Sequence, residues 1–124
     1  MIERRRLPDR RQAETLEFEV GGLRYTCTLG RFPDGQIGEL FLSNNKSNSS
    51  ADVSARDAAV LASIALQYSV PIDVLRHALT RDARGKASGP LGAALDLLAT
   101  GHVIADRAEL TNERRPPPPP AISA

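Results

Sequence analysis

The sequence predicts an α+β domain in two layers: a three-stranded antiparallel meander, a buried alanine-rich helix laid across it, and two shorter helices completing the cover. Three observations carry this. Apolar and polar residues alternate strictly from Leu16 to Val20 and again from Leu23 to Leu29, the period of a half-buried strand. From Ala58 to Leu66 every residue except Ser63 is apolar, a run that reads as a helix needing cover on several sides. Beyond Pro71 and again beyond Pro90, leucines recur at helical spacing.

In the first strand Leu16, Phe18 and Val20 fall on one side and Glu17 and Glu19 on the other. Gly21-Gly22 supplies a tight hairpin, because glycine takes positive φ without steric cost. The returning strand puts Leu23, Tyr25, Cys27 and Leu29 on one face. Pro33-Asp34-Gly35 is a second turn, and Ile37 to Leu42 a third strand. There Leu40, Phe41 and Leu42 are all apolar, so one face meets the helices and the other faces another part of the chain or a second subunit. Both sheet edges are expected to be open to pairing, which makes a homodimer conceivable.

The long helix spans Asp52 to Gln67, with Ala58, Leu61, Ala62, Ala65 and Leu66 expected on its buried face. Ser54 and Asp57 have the form of a capping box, with Ser50 or Asp52 as alternative starts. The next helix takes Pro71 as its first residue, Asp73 in its first turn, and a stripe of Ile72, Leu75 and Leu79. The last begins at Pro90 and stripes Leu91, Ala94, Leu95 and Leu98.

The chain divides into a basic arm, residues 1–14, expected to be disordered, a domain, residues 15–100, and a proline-rich tail, residues 101–124, also expected to be disordered. Of 124 residues, roughly 85 to 90 are left for the fold, enough for a modest core. No Trp is present and aromatic residues make up 4%, so packing is expected to be aliphatic. No run approaches a membrane span, and a charged start where a signal peptide needs apolar residues points to the cytoplasm. A net charge of +1 selects no partner. Cys27 is the only cysteine, which excludes an internal disulfide and any site needing two thiolates from this chain. It falls on an inward position between Thr26 and Thr28, so it reads as a small buried hydrophobe. His77 and His102 have no carboxylate or second ligand at telling spacing and read as bystanders. No metal site and no catalytic residue are expected.

Three basic or polar segments are candidate binding sites. The loop from Arg81 to Gly89 combines Arg81, Arg84 and Lys86 with Ser88 and Gly89 just before a helix start, a composition suited to phosphate or an acidic surface. It lacks the Gly-Lys-Ser/Thr ending of a nucleotide P-loop. Asn44, Asn45, Lys46 and Ser50 lie beside the start of the long helix and form a second anion candidate, against which Asp52 stands. Arg4, Arg5, Arg6, Arg10 and Arg11 form a basic arm for nucleic acid, or else a solvated terminus. Pro116 to Pro120 is either a ligand for a proline-recognising domain or a stiff tail.

The run from Phe32 to Leu42 (FPDGQIGELFL), the small polar loop after it, the stretch from Ala58 to Leu66, and Val70-Pro71-Ile72 with Leu75 to Leu79 occur in one order. In this the chain resembles the TSCPD domain, found near the C-terminus of vitamin B12-dependent (class II) ribonucleotide reductases and as small free-standing proteins. The resemblance implies a link to deoxyribonucleotide synthesis and a reductase subunit or nucleotide as partner. In those enzymes it implies a thiyl radical, a pair of reducing cysteines and adenosylcobalamin. One inward cysteine cannot supply that chemistry, so no cofactor is expected and the cobalamin belongs to the full-length relatives. Two readings stand: a non-catalytic accessory or nucleotide-binding module, and a nucleic-acid or protein-interaction module using the arginine arm and the Arg81 to Lys86 loop.

Overall fold

The computed structural model describes residues 3–100; the proline run and His102 lie outside them. The order is β1 (Ala13–Val20), β2 (Leu23–Arg31), β3 (Ile37–Asn44), α1 (Ser50–Gln67), α2 (Ile72–Ala78) and α3 (Pro90–Thr100). The strands form one antiparallel sheet in the order β1-β2-β3, as the alternation predicts. Val20 pairs with Leu23 across Gly21 and Gly22, whose φ angles of 61° and 78° are those a two-residue hairpin requires. The second turn is held by Asp34, whose side chain accepts from the Gln36 N–H at 2.9 Å. A register shift at Gly30 and Arg31 carries the sheet into it.

One face of the sheet is dry. Leu16, Phe18, Tyr25, Cys27, Leu29, Leu40 and Leu42 meet Ala55, Ala59, Ala62 and Leu66 of α1 and Ala94, Leu95 and Leu98 of α3. The core is aliphatic apart from Phe32 and one stacked pair, Phe18 and Tyr25, with ring centroids 5.9 Å apart.

The position of α1 follows from hydrogen bonds as much as from apolar contact. Its side chains cap the outward backbone groups of β3. Ser63 Oγ accepts from the Leu40 N–H at 2.9 Å and donates to the Leu40 carbonyl at 3.0 Å. Asp52 accepts from the Asn44 N–H at 2.9 Å, and Gln67 donates to the Gly38 carbonyl at 2.9 Å. From Asp52 to Gln67 the helix rises about 22 Å, and from Asn44 back to Gly38 the strand covers about 20 Å, so the two repeats keep step. Small residues between these anchors, Ala55, Ala59 and Ala62, let the helix backbone approach the strand.

Several expectations are corrected by this arrangement. The β3 edge is sealed by α1 and is not open to pairing, because leaving buried N–H and C=O groups unpaired is costly. The buried face of α1 is Asp52, Ala55, Ala59, Ala62, Ser63, Leu66 and Gln67. Leu61, expected inside, is 69% exposed, and Ala58 and Ala65 are only half-buried. The helix is therefore not covered on several sides: Val53, Val60 and Leu61 form an open apolar flank. The helix starts at Ser50, one of the alternative starts, capped by Ser49, whose side chain accepts from the Asp52 N–H, and not at a box of Ser54 and Asp57. Phe41 points away from the core, beside Val60 and Arg56. Pro71 caps α2 from outside and Ile72 is its first residue.

Candidate functional site

The loop between α2 and α3 is shaped by its own acids. Asp82 accepts from the N–H groups of Arg84 at 2.9 Å and Lys86 at 3.0 Å, and the Asp82 N–H donates to the Lys86 carbonyl at 2.9 Å. Arg81 turns inward and grips Asp96 of α3 with both terminal nitrogens, at 2.9 and 2.8 Å, while Arg76 adds a bond of 2.9 Å to the same carboxylate. The Arg81 guanidinium, then that of Arg76, holds the Asp96 carboxyl down at about 2. Arg81 thus fastens the loop to α2 and α3, and what the loop turns outward is Arg84, Lys86 and Ser88, all exposed. Gly89 contributes its carbonyl to the Ala93 N–H in the first turn of α3. Lys86 and Ser88 share a groove of about 470 Å³ with Glu19 and Asp82, so the field there is mixed in sign.

At the start of α1 the polar residues turn toward one another. Asn44 is buried, donating from its side chain to the Arg24 carbonyl at 3.3 Å and accepting from the Lys46 N–H at 2.9 Å. The Asp52 carboxylate takes the N–H groups of Asn44 and Asn48, and these bonds, then Arg56, lower its pKa. A fixed carboxylate already occupies the place an anion would take. Asn45, Lys46 and Ser50 are exposed around it.

The arginine arm, expected to be disordered, lies against the domain over residues 3–12, where its cations find acceptors. The Arg5 N–H donates to the Gln67 carbonyl at 2.7 Å and Arg4 Nε to the Gln67 side chain at 2.7 Å. The Arg5 guanidinium lies 3.7 Å above the Phe32 ring and bonds Asp34 at 3.2 Å and Gln36 at 3.0 Å. Arg11 pairs with Glu39 at 2.6 Å and donates to the Pro8 carbonyl. A methyl group at Gly38 would stand 2.7 Å from Phe32 and 2.9 Å from Leu7, so glycine there lets the arm close down. Arg4, Arg5, Arg6 and Arg11 then line a concavity of about 460 Å³ with Leu7, Asp9 and Gln67, while Arg10 is exposed. The role of Gln67, which ties the arm to the β3 edge, was not read from sequence. Its one signal is a polar residue one turn beyond Ser63 at the end of an apolar run.

Neither nucleophile nor base is assembled among the described residues. Cys27 is fully buried and burial pushes its thiol up to about 12, so no thiolate forms near neutral pH. His77 is exposed on α2. Among the described residues no group of three His, Cys, Asp or Glu is placed to hold a metal ion, and no helix is long and apolar enough to cross a membrane.

No family model and no solved structure matches the chain. Curated relatives do. The chain is 34% identical over 91 residues to the vitamin B12-dependent ribonucleotide reductase of Bradyrhizobium diazoefficiens, covering 73% of this chain and 7% of that enzyme. It is 37% identical over 78 residues to the enzyme of the same name from Agrobacterium fabrum, 63% of this chain and 6% of the relative. With that of Rhodopirellula baltica it shares 38% over 72 residues, 58% of this chain and 7% of the relative. The vitamin B12 in those names is the relatives'; among the described residues of this chain the imidazole of His77 is exposed and the Cys27 thiol is sealed in the core.

Proposed function

Starting from a chain related to a short segment of vitamin B12-dependent ribonucleotide reductases, we propose that it is a non-catalytic accessory module of deoxyribonucleotide synthesis in the cytoplasm. It corresponds to the TSCPD domain of those enzymes and docks on a reductase. The single observation that carries this reading is the match itself: most of this chain aligns with about 7% of the reductase of Bradyrhizobium diazoefficiens. The geometry supports a binding role over a chemical one, because the sole cysteine is buried with its thiol raised to about 12. The contact is assigned to Arg84 and Lys86, held outward by the Asp82 turn and the Arg81 clamp on Asp96, together with Ser88 and Gly89. Such a loop presents cations on a rigid support, suited to an acidic protein surface or a bound nucleotide's phosphate.

The test uses the full chain immobilised and a purified vitamin B12-dependent reductase in solution. Retention of the reductase, weakened by Arg84→Ala and Lys86→Ala together, is the expected result. Deoxyribonucleotide formation by this chain alone, or no retention at low salt, refutes the reading.

A further inference from the structure

The concavity under the arginine arm is separate from the loop just described, and its charges do not balance. Arg5 is neutralised by Asp34 and Arg11 by Glu39, and the one acid among the lining residues is Asp9. Among the described residues neither Arg4 nor Arg6 is in an ion pair. The cations are also positioned. Gln67 accepts from Arg4 Nε at 2.7 Å and from the Arg5 backbone at 2.7 Å, and its own amide is fixed on the Gly38 carbonyl at 2.9 Å. With Nε occupied, the two terminal nitrogens of Arg4 remain as a planar fork, the geometry that meets two oxygens of one phosphate. Arg4 and Arg6 are thus the cations left without a carboxylate of their own, and a bound polyanion would supply one.

From this we infer that the arm and the C-terminal end of α1 form a binding site for a compact chain of phosphoryl groups, as in inorganic triphosphate or the phosphate end of a nucleoside triphosphate. Arg4 and Arg6 are its direct contacts, and Gln67 positions Arg4. The cations meet around one local hollow of about 460 Å³, within the size range of small-ligand sites. No aromatic ring lines the hollow itself, and Phe32 beneath Arg5 is buried, so the lining reads phosphates and not the nucleobase.

The test is calorimetric titration of the full chain with inorganic triphosphate, ATP and dATP in turn. Arg4→Ala and Arg6→Ala are each expected to weaken triphosphate binding by about tenfold or more. Arg24→Ala, which removes the same charge from the Gly21-Gly22 hairpin end of the sheet, is expected to change it by less than about twofold. Similar affinity for all three ligands assigns the site to phosphates alone; tighter binding of ATP and dATP, lost in the same two variants, supports the site with a nucleotide as its source. Absence of triphosphate binding at millimolar concentration overturns the inference. So does equal weakening by Arg24→Ala, or binding of single-stranded oligonucleotides that strengthens with length in preference to triphosphate. A thermal melt of each variant separates lost binding from lost folding, and Arg4→Lys, which keeps the charge but not the fork, is expected to bind more weakly than the parent.

Discussion

The two sides of α1 carry similar amounts of apolar character and have opposite fates. One side holds Ala55, Ala59, Ala62 and Leu66 together with Asp52, Ser63 and Gln67, and is buried along the β3 edge. The other holds Val53, Val60 and Leu61 and is exposed. Hydrophobicity alone would have turned Leu61 in and Ser63 out. The difference teaches that the edge strand chose the face: β3 presents backbone groups at Gly38, Leu40 and Asn44 that need partners. A hydroxyl, a carboxylate and an amide at matching spacing satisfy them, and the apolar contact follows.

The largest break in this contrast is expected from Ser63→Ala. It strands both the N–H and the carbonyl of Leu40, and a loss of about 2 to 4 kcal/mol should appear in denaturant unfolding. If the melt is unchanged, the edge does not decide the face. Ala59→Leu comes next. Its side chain is buried against β3, and a larger group there should lift the helix from the strand at a cost of about 1 to 3 kcal/mol. The same change at Val60 should cost far less.

Acid should act on the carboxylates that hold bonds across the fold. The folded pKa of Asp52 lies below the ordinary value, chiefly through the Asn44 and Asn48 N–H groups, and that of Asp96 is held at about 2 by Arg81 and Arg76. Both contribute stability that is fully present above the unfolded pKa and is lost as pH falls through the folded one. Unfolding midpoints should therefore decline below about pH 4. The deficit of Asp52→Asn relative to the parent should be greatest at neutral pH and shrink over that decline; a constant deficit would mean the charge is idle. Smallest of all, Leu61→Lys should alter stability by less than about 0.5 kcal/mol, since that side chain already meets water. A larger loss would show that the open flank is covered in solution.

Much of the architecture was legible because it rests on local periodicity. Alternation about Phe18 and Tyr25, glycine pairs at the hairpin and proline at the helix starts act within a few residues of themselves. The inward position of Cys27 followed from the same alternation. Sequence alone leaves the helix start open among Ser50, Asp52 and Ser54, because several of the residues there can cap a helix, and the structure selects Ser50 with Ser49 as its cap. The arm was read as unstructured because its arginines have few apolar neighbours in sequence. Their partners Phe32, Asp34, Glu39 and Gln67 are between about 27 and 63 residues away, a separation at which no spacing rule operates. The candidate loop was recognisable by composition, but composition does not say which cations are already taken.

By itself, then, the order of residues determined the strands, the helices and the turns between them, since those depend on steric and hydrogen-bonding preferences of neighbours in the chain. Which side of α1 is dry, that Arg81 closes on Asp96 while Arg84 stays outside, and that the arm gathers its arginines around a hollow were decided only in three dimensions. Each of these depends on a buried or charged group finding its partner across the fold, and the cost of leaving such a group alone exceeds the preference of any single residue for water or for oil.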